Sequence, residues 1–238
     1  MTSTSAAAPS DSLQRLQAVL FDMDGTLVET EDLWGEAMYA LAARRGGTLS
    51  AEARERTAGT SMLASMQIIY ADLGLDPAAQ DIDADARWIE DETAALMTSR
   101  GMPWRPGARD LLVAVRAAGL RSALVTTTPR RVATLVLDRI AAELGEDLFD
   151  VTVCGDEAGL RKPDPAPYLK AMADLGVDPG SSLVVEDSEV GTTAGLAAGV
   201  AVLGVPLVQR LQPQPGLTLR PSLQGLTVED LDAMVASS

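Results

Sequence analysis

Apolar and polar positions fall into blocks along the second half of this chain. From about residue 105 onward, short apolar runs are separated by longer segments with helical spacing. The runs at 121–126, 151–154, 182–185 and 200–203 are rich in Val, Leu and Ala. Such runs, without polar alternation, are typical of strands buried on both faces. Between them lie predicted helices at 108–118, 129–144, 165–175 and 191–199, punctuated by Pro106, Pro129, Gly119 and Gly176. Strands alternating with helices imply a parallel, doubly wound α/β sheet. An earlier apolar run, Ala18-Val19-Leu20-Phe21, supplies a first strand. Residues 30–103 break the pattern, with helical spacing at 34–44, 51–57, 62–73 and 83–97 and no strand. They read as an all-helical insertion and a second domain. The sheet domain then comprises residues 14–29 and 104–238, after a Ser/Thr/Ala-rich tail at 1–13 expected to be disordered. The stretch 209–216 reads as a surface loop.

Polar groups cluster where these strands end. The first strand runs into Asp22-Met23-Asp24-Gly25-Thr26. Asp-Gly is a common hairpin signal, but the acidic, helix-like stretch after Val28 is not a return strand. The other ends carry Thr126, then Arg161-Lys162-Pro163-Asp164-Pro165, then Glu186-Asp187-Ser188. In an open parallel sheet all of these meet at one edge, where ligands bind. Two Asp at that edge can hold a divalent cation and divide the work of nucleophile and acid/base. Taken singly, the later groups have plainer readings. Thr126 could merely end a strand, Lys162 could be solvated, and Glu186-Asp187 could cap a helix with Ser188. The prolines after Lys162 mark a rigid loop that would aim it. Arg130, Arg131 and Arg161 read as surface charges.

Composition narrows the chemistry. A net charge of −15 argues against nucleic acid or an anionic membrane as partner. No apolar run approaches the ~20 residues that span a bilayer, and the tail lacks the features of a signal peptide. The single cysteine, Cys154, fits a reducing compartment, so a cytoplasmic location is expected. The chain has no histidine, which excludes Ser-His-Asp catalysis, histidine nucleophiles and His-ligated metals. Acid/base work falls to carboxylates, Lys or Tyr.

The motifs together resemble the haloacid dehalogenase superfamily. Phe21-Asp22-Met23-Asp24-Gly25-Thr26, Leu124-Val125-Thr126, Lys162-Pro163 and Val185-Glu186-Asp187-Ser188 followed by Gly191 look like its four motifs, in order, across nearly the whole chain. The resemblance implies a Rossmann-like core with an inserted helical cap. It points to the beta-phosphoglucomutase-like and sugar-phosphate phosphatase branch. It implies Asp22 as nucleophile, forming an aspartyl phosphate, and Asp24 as acid/base. It implies phosphate held by Thr126, the Thr127 N–H and Lys162. It also implies Mg²⁺ bound by Asp22, Asp24, Asp187 and Glu186.

The cap separates two reactions. Mutases of this type carry a His where this chain has Trp34, and a phosphate-gripping Arg in the cap loop where it has Met62. Hydrolysis of a small phosphate monoester, of a sugar or polyol, is therefore expected, with Trp34, Gly59, Thr60 and Met62 shaping specificity. A phosphosugar mutase and a non-catalytic phosphate-binding module are the alternatives. The second would be expected to lose Asp22, Asp24 or Lys162. Phosphonate cleavage needs a cap Lys, and residues 30–103 contain none. The partner is a small phosphorylated metabolite. The oligomeric state is open, a monomer being compatible.

Overall fold

The computed structural model describes residues 15–237, so the tail expected at 1–13 lies outside the described residues. Six strands, β1 (Ala18–Phe21), β2 (Arg121–Val125), β3 (Val151–Val153), β4 (Ser182–Glu186), β5 (Ala201–Gly204) and β6 (Leu217–Leu219), form one parallel sheet. Their order is β3-β2-β1-β4-β5-β6. The chain builds outward from β1 to one side, then crosses back to lay β4 on the other. The crevice created by that reversal lies at the carboxyl ends of β1, β2 and β4. Register fixes what meets there, because Phe21 pairs with Leu124 and with Val185. The residues that follow therefore emerge side by side.

Period-two alternation splits each strand between two apolar layers. Val19, Phe21, Leu124, Val185 and Leu203 face one layer. It is filled by α5 (Ala108–Ala117), α6 (Arg130–Leu144) and α9 (Val228–Ala236). Leu20, Val125, Val184 and Val202 face the other, against α7 (Ala166–Leu175) and α8 (Glu189–Ala197). Both faces are covered, which explains the unbroken apolar runs.

The helices α1 (Glu31–Arg44), α2 (Ala51–Thr57), α3 (Met62–Asp72) and α4 (Ile82–Arg100) form the insertion between β1 and β2. The chain leaves and re-enters the sheet layer through paired linkers: Glu29 N donates to Pro103 O (2.8 Å) and Arg105 N to Leu27 O (2.9 Å). Tyr70, Ile89 and Met97 from the insertion share one apolar cluster with Leu33, Leu111 and Val132. None of the described helices is long and apolar enough to cross a membrane.

Among the described residues, one strand and one α-helix go beyond those expected from the sequence. β6 is three residues long and sits at the sheet edge, too short for a periodicity to declare itself. α9 opens with a capping box, Thr227 and Asp230, a signal that was legible in the chain. α1 begins at Glu31 instead of 34, after Thr30, whose hydroxyl caps nothing and is used elsewhere.

One carboxylate ties three segments of the insertion together. Asp85 on α4 accepts from Arg45 Nε (2.8 Å) and Nη2 (2.6 Å), just past α1, and from the Tyr70 hydroxyl on α3 (2.6 Å). Burial alone would raise its carboxyl, but Arg45 and Tyr70 outweigh that and hold it below the usual range. Asp85→Asn is expected to lower stability by about 3 kcal/mol at neutral pH, read from urea unfolding. A depressed folded value means this stability is complete above the unfolded carboxylate range near ~4 and is lost as pH falls through the folded value. The gap between wild type and variant should therefore shrink as pH falls below the unfolded carboxylate range near ~4.

Candidate active site

The reversal of strand order brings four segments to one crevice. Asp22 follows β1, and its N–H donates to Val185 O on β4 (3.0 Å). Gly25 turns the chain there with φ +79°, and a Cβ on it would lie 2.4 Å from Asp187 Oδ2. Both the conformation and the space demand glycine. Glu186 ends β4 and Asp187 follows it. The third segment is the loop after β2, with Thr127 and Thr128, and the fourth is the loop before α7, which delivers Lys162.

Lys162 is buried, and its ammonium spends every donor it has. Nζ donates to Asp22 Oδ1 (2.8 Å), Glu186 Oε1 (2.7 Å) and Val125 O at the end of β2 (2.8 Å). Burial alone would lower its pKa, but Asp22 and Glu186 raise it well above the ordinary value. Glu186 is equally committed. Its Oε1 also accepts from the Tyr168 hydroxyl (2.9 Å), and its Oε2 from Asp187 N (3.0 Å), Ser188 N (3.3 Å) and Ser188 Oγ (3.1 Å).

Carboxylate oxygens of Asp22, Glu186 and Asp187 lie within 4.8 Å of one another, all buried. Three carboxylates share one ammonium, which leaves a formal charge of −2. That excess is visible in the carboxyls themselves. Burial, then Glu186, pushes Asp22 up to about 8 in spite of Lys162. Burial, then Asp22 and Glu186, pushes Asp187 well above its usual range. A cluster of hard oxygen donors carrying two uncompensated charges fits a divalent cation.

Asp24 faces a different environment. Its Oδ1 accepts from the Thr30 hydroxyl (2.5 Å) and Trp34 Nε1 (3.1 Å). Its Oδ2 accepts from the Thr128 hydroxyl (2.7 Å) and, more weakly, from Thr126 Oγ1 (3.5 Å). Two of these donors come from the start of the insertion and two from the loop after β2.

These groups border a cleft of about 560 Å³. On the sheet side Asp22, Asp24, Lys162, Glu186, Asp187, Thr127 and Thr128 line it. Over them lie Glu31, Trp34, Gly59, Thr60, Met62 and Ser65 of the insertion. The structure thus gathers Asp22, Asp24, Lys162, Glu186, Asp187, Thr127 and the four cap positions around one space. Thr126 is the exception. It is buried, its hydroxyl accepts from Thr128 N (3.1 Å), and it does not line the cleft. Gly59 meets the core directly, and a Cβ there would lie 2.5 Å from that of Ser188.

Reading the sequence missed several members. Thr30, Thr128 and Tyr168 act on other site residues and carry no motif of their own. Glu31 and Arg54 form a buried pair, Arg54 Nη2 reaching Glu31 Oε2 at 2.9 Å and its carbonyl at 2.7 Å. Burial still raises Glu31 despite Arg54. Nothing in the spacing of 31 and 54 announces that contact. Cys154 is a core thiol, pushed up to about 12 by burial and so held protonated.

Residues 16–199 match the family of haloacid dehalogenase-like hydrolases. The phosphorylated carbohydrates phosphatase of Thermotoga maritima is 32% identical over 185 residues, 78% of this chain and 82% of that protein. Hexitol phosphatase B of Escherichia coli is 29% identical over 228 residues, 92% of this chain and 97% of that one. The crystal structure of CbbY from Rhodobacter sphaeroides in complex with phosphate superposes with a TM-score of 0.80 at 29% identity, covering 91% of this chain and 99% of that one. With sheet order, buried acidic cluster and family match in agreement, this chain belongs to the haloacid dehalogenase-like hydrolases.

Proposed function

We propose that the protein is a Mg²⁺-dependent phosphatase acting on a small phosphate monoester, a sugar or polyol phosphate, through an aspartyl phosphate on Asp22. The observation that carries this reading is the buried Asp22–Lys162–Glu186 bridge beside Asp187, opening on a cleft roofed by the insertion. The names of the relatives above, a phosphatase of phosphorylated carbohydrates and one of hexitol, support the substrate class.

Lys162 holds Asp22 by Oδ1, which leaves Oδ2 to attack phosphorus in line with the leaving oxygen. The Thr127 N–H, just ahead of α6, holds a phosphoryl oxygen. Lys162, its donors spent on Asp22, Glu186 and Val125 O, contributes its positive charge to the phosphate site. Asp24 protonates the leaving oxygen, then takes a proton from the water that opens the aspartyl phosphate. Asp22, Asp187 and the Asp24 carbonyl would hold Mg²⁺, which supplies charge neutralisation to the phosphoryl group. Glu186 belongs to the same cluster, but five donors already point at its two oxygens. We assign it to anchoring Lys162 and the Ser188 turn. A free, buried thiol and a phosphorylated metabolite as substrate support a cytoplasmic location.

Hydrolysis is favoured over phosphosugar isomerisation by the cleft's charges. Lys162 is the one basic side chain among the described residues lining it, and Arg54 is tied to Glu31 behind the wall. Met62 and Trp34 offer no grip on a second phosphate.

Asp22→Asn keeps the size of the side chain and removes the attacking charge. Its kcat is expected to fall by ~10³-fold or more, measured as phosphate release. Near wild-type turnover would overturn the aspartyl-phosphate route. Mg²⁺ at about 100 times its Kd should raise the unfolding free energy by about 2.7 kcal/mol, and EDTA should abolish both that gain and activity. Asp187→Ala should lose the thermal shift. With beta-glucose 1-phosphate and a trace of bisphosphate, a coupled dehydrogenase assay should register little glucose 6-phosphate, while sugar or polyol monophosphates release phosphate. Isomerisation outrunning release would establish the mutase instead.

A further inference from the structure

Helix α1 carries a glycine, Gly35, in its second turn, where a better helix former would stabilise it. The space beside that glycine is taken. A Cβ on Gly35 would lie 2.6 Å from Arg54 Nε, 3.2 Å from Nη2 and 3.3 Å from Cζ. Arg54, on α2, thus lays its guanidinium across α1 where α1 has no side chain. Helix propensity is given up there to admit a buried cation. The guanidinium then divides its donors. Nη2 donates to Glu31 O (2.7 Å) and Glu31 Oε2 (2.9 Å) on α1, and Nη1 to Thr57 Oγ1 (3.2 Å) at the end of α2. The chain of bonds continues, since Thr57 O accepts from Thr60 N (3.1 Å) and Thr60 Oγ1 (2.8 Å). Thr60 Oγ1 in turn lies 2.8 Å from Ser65 Oγ. Glu31, Thr57, Thr60 and Ser65 all border the cleft, whereas Arg54 stands behind them.

We propose that Arg54 is a positioning residue for substrate choice: seated in the gap left by Gly35, it fixes Glu31 and the turn at 57–60 as an acceptor-rich roof that reads the hydroxyls of the leaving group. The inference rests on the reading of the cleft as that of a phosphatase, and it names what the cleft selects. A carboxylate accepts at several sites, and Arg54 uses one of them on Glu31 Oε2. A neutral leaving group with several O–H donors matches such a roof. A leaving group with a second negative charge finds no basic side chain there among the described residues. The substrate class is then the phosphate monoester of a neutral, polyhydroxylated alcohol. Lysine could not replace Arg54, because a point charge cannot serve Glu31 and Thr57 through one rigid fork.

Three esters test this by what each carries beyond its phosphate. Sorbitol 6-phosphate carries hydroxyls, p-nitrophenyl phosphate carries none, and phosphoglycolate carries a second anion. Wild-type kcat/KM should be at least about tenfold higher on sorbitol 6-phosphate than on phosphoglycolate. Arg54→Lys keeps the charge and loses the fork. Gly35→Ala keeps Arg54 and adds the methyl that displaces it, while favouring the helix, so the test stands if Arg54→Lys fails to fold. In each variant kcat/KM on sorbitol 6-phosphate should fall about tenfold, the factor of one displaced hydrogen bond, mostly through KM. On p-nitrophenyl phosphate it should stay within about threefold. Both changes break the same contact, so the double variant should lose no more than the larger single loss. Equal losses on these two esters, losses that add, or no loss at all would overturn the inference. A wild type that cleaved p-nitrophenyl phosphate but preferred phosphoglycolate to sorbitol 6-phosphate would overturn it too, and leave a phosphatase of another substrate class. A wild type that released phosphate from none of the three would overturn the phosphatase reading, and the inference with it.

Discussion

A single buried ammonium organises this protein. Lys162 Nζ bonds the carboxylate after β1, the carboxylate ending β4 and the carbonyl ending β2. An ion this deep is tolerable only if every donor is met, since an unmatched buried charge costs several kcal/mol. Three neighbouring strands and the loop before α7 must therefore converge to within hydrogen-bonding distance. The register of β1 with β2 and β4 supplies that convergence. The bridge also under-compensates its surroundings, since Asp187 joins Asp22 and Glu186 with no second basic side chain among the described residues lining the cleft. The cluster is thus built around a positive charge that the described residues do not provide. This accounts for the raised carboxyls of Asp22 and Asp187 and for the fit to a divalent cation.

The two aspartates of the first motif are two residues apart yet live in different chemistry. Asp22 is locked into the charged bridge. Asp24 is held by neutral donors, half from the sheet domain's loop and half from the insertion. That division matches the division of labour proposed above, between a nucleophile and an acid/base. It also explains why the insertion shares an apolar cluster with the sheet and returns through paired linkers. The donors on Asp24 must hold their places to a few tenths of an ångström.

Much of this was legible in the order of residues. Unbroken apolar runs announced strands covered on both faces, and Gly and Pro marked the turns between them. Asp22, Asp24, Lys162, Glu186 and Asp187 each stand at a strand end or in a rigid loop after one, so the sheet's geometry alone would gather them. The insertion was visible as a stretch of helical period with no strand. By contrast, Leu217–Leu219 is too short to carry a period, and an edge strand is defined by its neighbour instead of its own pattern.

What the chain alone determined, then, was most of the elements, their layered arrangement and the polar groups at one edge, because those follow from local periodicity and the doubly wound class it implies. What only the tertiary structure decided was which atom each group touches. Glu186 spends its oxygens on Lys162, Tyr168 and the Ser188 turn. Thr126 supports its own loop and leaves Thr127 and Thr128 to border the cleft. Arg54 finds Glu31, and Trp34, expected from the sequence to shape specificity, finds Asp24. These contacts join residues from separate elements through side-chain direction and distance. No spacing along the chain encodes them, because each depends on how one packed surface settles on another.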